Sequence, residues 1–176
     1  DHLEAIVEIK NVVPPEFINK IITLTNHKAK NQFEVGHGLD ISTRNVKGHH
    51  LTFNTPTDLF YWNYIKTEIE RIYIFYKAKF PKMSSHIINQ IDLLKYSVGG
   101  KYEVHTDHFA TTARHLNLNN DYEGGDLIFT DQREKEIKRL KLSKGSVVFF
   151  PSNFMYPHSI QPITKGTRYS IVSWLQ

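Results

Sequence analysis

The change of pattern at Gln90 limits the possible folds more than any other feature of this sequence. Beyond it the apolar residues fall into short runs separated by glycine and polar turns, at 90–98, 102–105, 115–118, 125–130, 136–142, 146–151, 158–162 and 167–174. Runs of four to eight residues bounded in this way read as β-strands. Eight short strands behind a helical N-terminal part predict a mainly β chain with supporting helices. The expected form is a double-stranded β-helix, the jelly-roll or cupin-like sandwich, with the N-terminal helices packed on its sheet. The narrow end of such a sandwich is a ready pocket.

Upstream, residues 3–13 alternate as a first strand would, with Leu3, Ala5, Val7 and Ile9 on one parity. Pro14-Pro15 stops that run and opens a helix over 16–24, with Phe17, Ile18, Ile21 and Ile22 as its apolar stripe. Thr55-Pro56 starts a second, longer helix: Leu59, Trp62, Ile65, Ile69, Ile72 and Phe75 follow at three- and four-residue steps through about Lys79. Residues 25–56 are polar and irregular, and read either as a mobile lid over a substrate or as an exposed loop. The adjacent His49 and His50 would point to opposite faces of a strand and so would not share an ion. A chain of 176 residues suits a single domain. In it, 1–89 supplies the first strand, the helices and the possible lid, and 90–176 supplies the sandwich core.

The triplet His105-Thr106-Asp107 puts an imidazole and a carboxylate two positions apart, on the same face of an extended strand, where both can reach one metal ion. A third ligand must come from elsewhere, and His158, near the start of another strand-like run, is the best candidate. The chain has no cysteine, so a metal must be held by imidazole and carboxylate. Two histidines and one carboxylate with open positions form the arrangement of non-haem Fe(II) oxygenases. Zinc fits the same donors almost as well. Arg168 lies among apolar strand residues, and a guanidinium in a β core needs an anion. A planar carboxylate held by two parallel hydrogen bonds would satisfy it. Gly99-Gly100 permits a tight turn that sets Tyr96 and Tyr102 on adjoining strands near His105.

Other classes fit poorly. The net charge is +4 and its basic residues are dispersed; the run from Lys135 to Lys144 is interrupted by Glu136 and reads as a solvated strand face, so no nucleic-acid partner is expected. No apolar run reaches the length of a membrane span, and no basic-then-apolar leader is present. A soluble chain follows, with the lack of cysteine favouring the cytoplasm. Because the sequence begins at Asp1 and not at Met, a targeting segment ahead of it stays open.

Several motifs in order resemble a known family. They are Leu94, Tyr96, Gly99-Gly100, Tyr102, His105 and Asp107, then Tyr122-Glu123-Gly124-Gly125-Asp126-Leu127, then Lys144-Gly145 with Val147-Val148-Phe149-Phe150-Pro151, then His158, then Gly166-Thr167-Arg168. Over about half of the chain this is similar to the 2-oxoglutarate and Fe(II)-dependent oxygenases of the prolyl 4-hydroxylase type. The resemblance implies that His105, Asp107 and His158 hold Fe(II), and that 2-oxoglutarate chelates the metal and sets its far carboxylate on Arg168. It implies Tyr96 as a further co-substrate contact, and Tyr102, Arg114 and Trp174 as substrate contacts. It also implies O2 as oxidant, ascorbate as a reductant, and hydroxylation of an unactivated C–H bond with release of succinate and CO2.

A proline-containing peptide or protein is the implied substrate, with lysyl or other amino-acid hydroxylation as the near alternative. The second arginine expected of nucleic-acid demethylases is absent after Arg168. A non-catalytic jelly roll binding a metal or carboxylate, and a zinc hydrolase on the same ligands, are the rival classes. One departure stands out. Only ten residues separate Asp107 from Leu118, where the family has a complete strand, and 109–114 reads as the start of a loop.

Overall fold

The computed structural model describes residues 1–83, 87–107 and 112–176. The chain starts with a 3₁₀ turn, His2–Ala5, where a strand was expected: Asp1 accepts a hydrogen bond from the Leu3 amide, and Glu4 reaches back to close a capping box. Strand β1 is only Val7–Ile9, and the chain turns away at Asn11, whose φ is 58°. Helix α1, Pro15–Lys28, runs a turn beyond its predicted end, carrying Leu24 and Thr25 into the core. Helix α2, Pro56–Lys79, begins where the sequence placed it, with the Thr55 hydroxyl accepting from the Asp58 amide at 3.1 Å.

The segment between the helices is not an irregular loop. It holds three short strands, β2 (Asn31–Gln32), β3 (Arg44–Asn45) and β4 (Lys47–His50). Local sequence does not favour them; they form by pairing with longer partners. A β-carbon on Gly48 would come within 2.4 Å of the Phe33 ring, so glycine there is what lets Phe33 lie across β4.

After α2 come β5 (Ile88–Tyr96), β6 (Lys101–His105), β7 (Thr112–Asn117), β8 (Glu123–Gly124), β9 (Leu127–Thr130), β10 (Glu136–Leu140), β11 (Val147–Pro151), β12 (His158–Ile160), β13 (Ile163–Lys165) and β14 (Arg168–Leu175). The larger sheet has the order β1-β11-β7-β14-β5-β4-β2 and the smaller β10-β9-β12-β6-β3, with β13 and β8 paired separately. All the pairings are antiparallel. The two sheets face each other as a jelly roll, and the helices cover the outside of the larger one, as the strand pattern predicted.

Two apolar cores result, and β11 shows why. Val147 and Phe149 join α1 and α2 in one core, whereas Val148 and Phe150 join Leu127, Phe129 and Ile160 between the sheets. A strand covered on both faces buries every residue, and this hides its alternation. Strand β7 is the same case: all six of its residues are buried, so 112–114 belong to a central strand and not to a loop. The rest of the predicted loop, 109–111, lies outside the described residues.

Parity within β7 corrects one site assignment. Ala113 packs between the sheets and Leu116 under the helices, so Arg114 faces the helices and His115 faces the sandwich interior. Arg114 is 1% exposed and donates to the Ser173 hydroxyl, while its Nε and one terminal nitrogen have no hydrogen-bond partner among the described residues. It cannot touch a substrate in the sandwich. Burial pulls its pKa down to about 9, so the unfolded chain holds this proton more tightly than the folded one and the charge opposes folding below that pH. Arg114→Met is therefore expected to stabilise the protein by about 1–3 kcal/mol at pH 7. Urea unfolding measures this, and a lower midpoint with unchanged slope would show that the guanidinium contributes to stability.

Candidate active site

Strands β6 and β12 are neighbours in the smaller sheet, and their register sets His158 directly opposite His105. Cross-strand partners share a face, so the two rings meet, with centroids 4.3 Å apart. Each histidine is tethered in the same way: Nδ1 of His105 donates to the Glu103 carbonyl and Nδ1 of His158 to the Tyr156 carbonyl, both at 2.9 Å. A carbonyl can only accept, so Nδ1 carries the proton and each Nε2 presents a lone pair when the ring is neutral. Burial, helped by the nearby His158, holds the pKa of His105 well below the usual histidine value.

Asp107 closes the cluster. Its oxygens lie 3.8 Å from Nε2 of His105 and 3.6 Å from Nε2 of His158, and the ligand atoms of all three residues fall within 4.8 Å of one another. These gaps are too long for hydrogen bonds and suit donors arranged around a cation at about 2 Å. Oδ2 of Asp107 and Nε2 of His158 are buried with no hydrogen-bond partner among the described residues. Buried acceptors that converge in this way suit a cation, and the donor set fits a divalent iron or zinc ion.

The cluster opens into a cavity of about 670 Å³. Tyr96, Tyr102 and Trp174, named from sequence, all line it; Arg114 does not. Tyr102 stacks on His105 with centroids 3.6 Å apart and planes at 12°. Arg168 begins β14 opposite Tyr96 of β5 and is 2% exposed. Its guanidinium sits over the Tyr96 ring at 5.3 Å, and its Nε donates to Oδ1 of Asn117 at 3.2 Å. None of the ion pairs among the described residues includes it. Arg168 stands in the wall behind Tyr96 and does not itself line the cavity surface.

Sequence reasoning missed three groups. His115 lines the cavity with its ring centroid 5.7 Å from that of His158, and burial keeps it neutral, with smaller contributions from His158 and Arg168. Its parity relative to Leu116 was the available signal. Arg44 of β3 lines the opposite wall, beside Tyr102. Farther out, His50 bonds to Asp92 at 2.5 Å, with Gln90 on the other oxygen at 2.7 Å. His49 instead pairs with Asp58 at 2.8 Å. The two adjacent histidines thus take separate carboxylates, as opposite-facing side chains must.

Comparison with known proteins agrees with this geometry. Residues 91–176 match the model of the 2OG-Fe(II) oxygenase superfamily. A PKHD-type hydroxylase from Synechococcus sp. (strain JA-2-3B'a(2-13)) is 30% identical over 124 residues, covering 64% of this chain and 52% of that protein. The chain thus spans about half the length of the curated relatives it matches. Among solved structures, a Pseudomonas putida prolyl-4-hydroxylase superposes with a TM-score of 0.77 at 15% identity, covering 100% of this chain and 96% of that one. A prolyl hydroxylase from Trichoplax adhaerens, solved with a hypoxia inducible factor peptide fragment, gives 0.80 at 15% identity, covering 99% and 85%. These two likenesses establish the fold. Among the described residues no helix is long and apolar enough to cross a membrane. The matched stretch, just under half of the chain, carries all of β6, β12 and β14, and over it the chain is similar to the 2OG-Fe(II) oxygenase superfamily.

Proposed function

We propose that this chain acts as a single oxygenase domain, a 2-oxoglutarate-dependent dioxygenase that hydroxylates an unactivated C–H bond, with a prolyl residue of a peptide or protein as the target. One combination carries the reading: the ligand atoms of His105, Asp107 and His158 converge on a cavity, and the wall behind its Tyr96 holds Arg168, a buried arginine with no counter-ion among the described residues. A hydrolytic zinc site would have no use for that arginine.

In this reading His105, Asp107 and His158 hold Fe(II). Bound iron and 2-oxoglutarate supply the oxidising chemistry, in which O2 and the oxo acid become succinate and CO2 while C–H becomes C–OH. The chain contributes position and dryness. Arg168 takes the far carboxylate of 2-oxoglutarate, which relieves its uncompensated burial. His115, neutral and without a hydrogen-bond partner among the described residues, lines the same cavity and would be available to offer that carboxylate an N–H. Leu94, Val172 and Trp174 make the wall apolar and limit water. The peptide fragment held by the structural relative from Trichoplax adhaerens supports a peptide substrate.

Anaerobic addition of Fe(II) and then 2-oxoglutarate is expected to give the visible charge-transfer band of a chelated 2-oxo acid. Admitting O2 with proline-containing peptides should then release succinate in step with a mass gain of one oxygen on proline. A folded, iron-loaded protein without the band would overturn the co-substrate assignment. A band with turnover only on lysine-containing peptides would move the target to another residue.

A further inference from the structure

Arg44 itself lines the cavity, and the proposed co-substrate, assigned to Arg168, has no use for it. Arg44 leaves β3 opposite Tyr102 of β6, and its guanidinium is clamped between two rings, 4.5 Å from the Tyr102 centroid and 5.1 Å from that of Phe33. Guanidinium–ring stacking fixes the plane but leaves the edge donors open. Only one of its donors is used among the described residues, by a terminal nitrogen on the Glu34 carbonyl at 3.0 Å, and Nε is buried with no partner. The one buried acid of the outer cavity, Asp92, has both oxygens engaged by His50 and Gln90. Glu34 and Asp107 also line the cavity, but none of the ion pairs among the described residues includes Arg44, so its guanidinium keeps donors for an incoming anion.

The position of Arg44 separates it from Arg168. Arg168 belongs to the larger sheet behind Tyr96, whereas Arg44 belongs to the edge of the smaller sheet and is one ring away from a metal-site histidine, since Tyr102 stacks on His105. An anion held by Arg44 would sit beside the place where a reacting C–H bond must lie. We propose that Arg44 determines substrate choice by binding a carboxylate of the substrate, so that the preferred target residue is flanked by aspartate or glutamate. The proposal rests on the oxygenase reading for the meaning of the cavity, and names its substrate class.

The test compares amidated, acetylated pentapeptides that carry proline at the centre and differ only in Asp against Asn at a neighbouring position, on each side in turn. Calorimetry is run on the metal-free protein and on the protein loaded with Mn(II) and 2-oxoglutarate. The parent protein is expected to bind one Asp peptide about tenfold more tightly than its Asn twin, a preference that weakens with added salt. Arg44→Met should reduce the preference to less than about twofold, and Arg44→Lys should restore part of it. Equal binding of the twins, or no binding of either at millimolar concentration, overturns the proposal. So does a preference that survives in Arg44→Met. If Arg44 only steadied Tyr102 over His105, its loss would weaken both peptides alike and lower metal affinity, which also overturns it. Failure of 2-oxoglutarate to bind the Mn(II) protein would count against the oxygenase reading alone, because the Asp and Asn twins are still compared on the metal-free chain.

Discussion

Asp107→Ala is expected to abolish turnover, with succinate release below about a thousandth of the parent rate, while the chain stays folded. The reasoning starts from charge. His105 and His158 approach the site as neutral rings, each with Nδ1 committed to a carbonyl, so Asp107 supplies the only negative charge among the three ligands. Removing the anionic partner of a buried cation costs about 3–5 kcal/mol, a factor of roughly 10² to 10⁴ in metal affinity. The metal-free protein should respond differently. There Oδ2 of Asp107 is a buried acceptor without a partner, so its removal should leave the apo midpoint unchanged or raised. The expected signature is a lost metal-induced rise in melting temperature with an intact apo fold. Iron content after desalting, read beside circular dichroism, checks it. Stoichiometric iron retained in the variant would remove Asp107 from the ligand set.

How much of this was legible in the sequence depended on where each residue's reason lies. Helix α2 could be read because one face is wet and the other dry, so its three- and four-residue steps show, and Thr55-Pro56 marks its start. The metal cluster could be read because His105 and Asp107 are two apart on one chain segment, and His158 falls in a run whose motifs are ordered. Strand β7 could not be delimited, because burial on both faces erases the alternation that separates Arg114 from His115. Residues 3–13 were legible only in part: Val7–Ile9 is a strand, whereas over 2–5 the local hydrogen bonds of the Asp1 cap decided for a 3₁₀ turn. Strands β2, β3 and β4 are two to four residues long and polar, and exist through pairing, β4 with β5, β2 with β4 and β3 with β6. No window of sequence contains that information. Arg44 was invisible for the same reason, since its clamp is built by Phe33 and Tyr102 from two other parts of the chain.

Arg168→Met is expected to raise the KM for 2-oxoglutarate by about a hundredfold or more while leaving Fe(II) binding within about twofold. Truncating one partner of a buried, hydrogen-bonded charge pair costs about 2–5 kcal/mol, and the lower half of that range already gives the stated factor. Arg168→Lys should recover part of the affinity as a point charge but lose the two-pronged geometry. Stability separates this role from a structural one. Without co-substrate the guanidinium is 2% exposed, over Tyr96, with one hydrogen bond to Asn117, so methionine should raise the apo midpoint even as it destroys co-substrate binding. Arg114→Met provides the control, because it removes an equally buried arginine one position from the cavity residue His115 but on the helix side of the same sheet. The two substitutions should agree in raising apo stability and differ in KM, which Arg114→Met should leave within about twofold. If both raised the KM alike, the effect would come from distortion of the sheet and not from a carboxylate held at Arg168. If neither did, the far carboxylate of 2-oxoglutarate would have to be bound elsewhere, with Arg44 the next cation in the cavity.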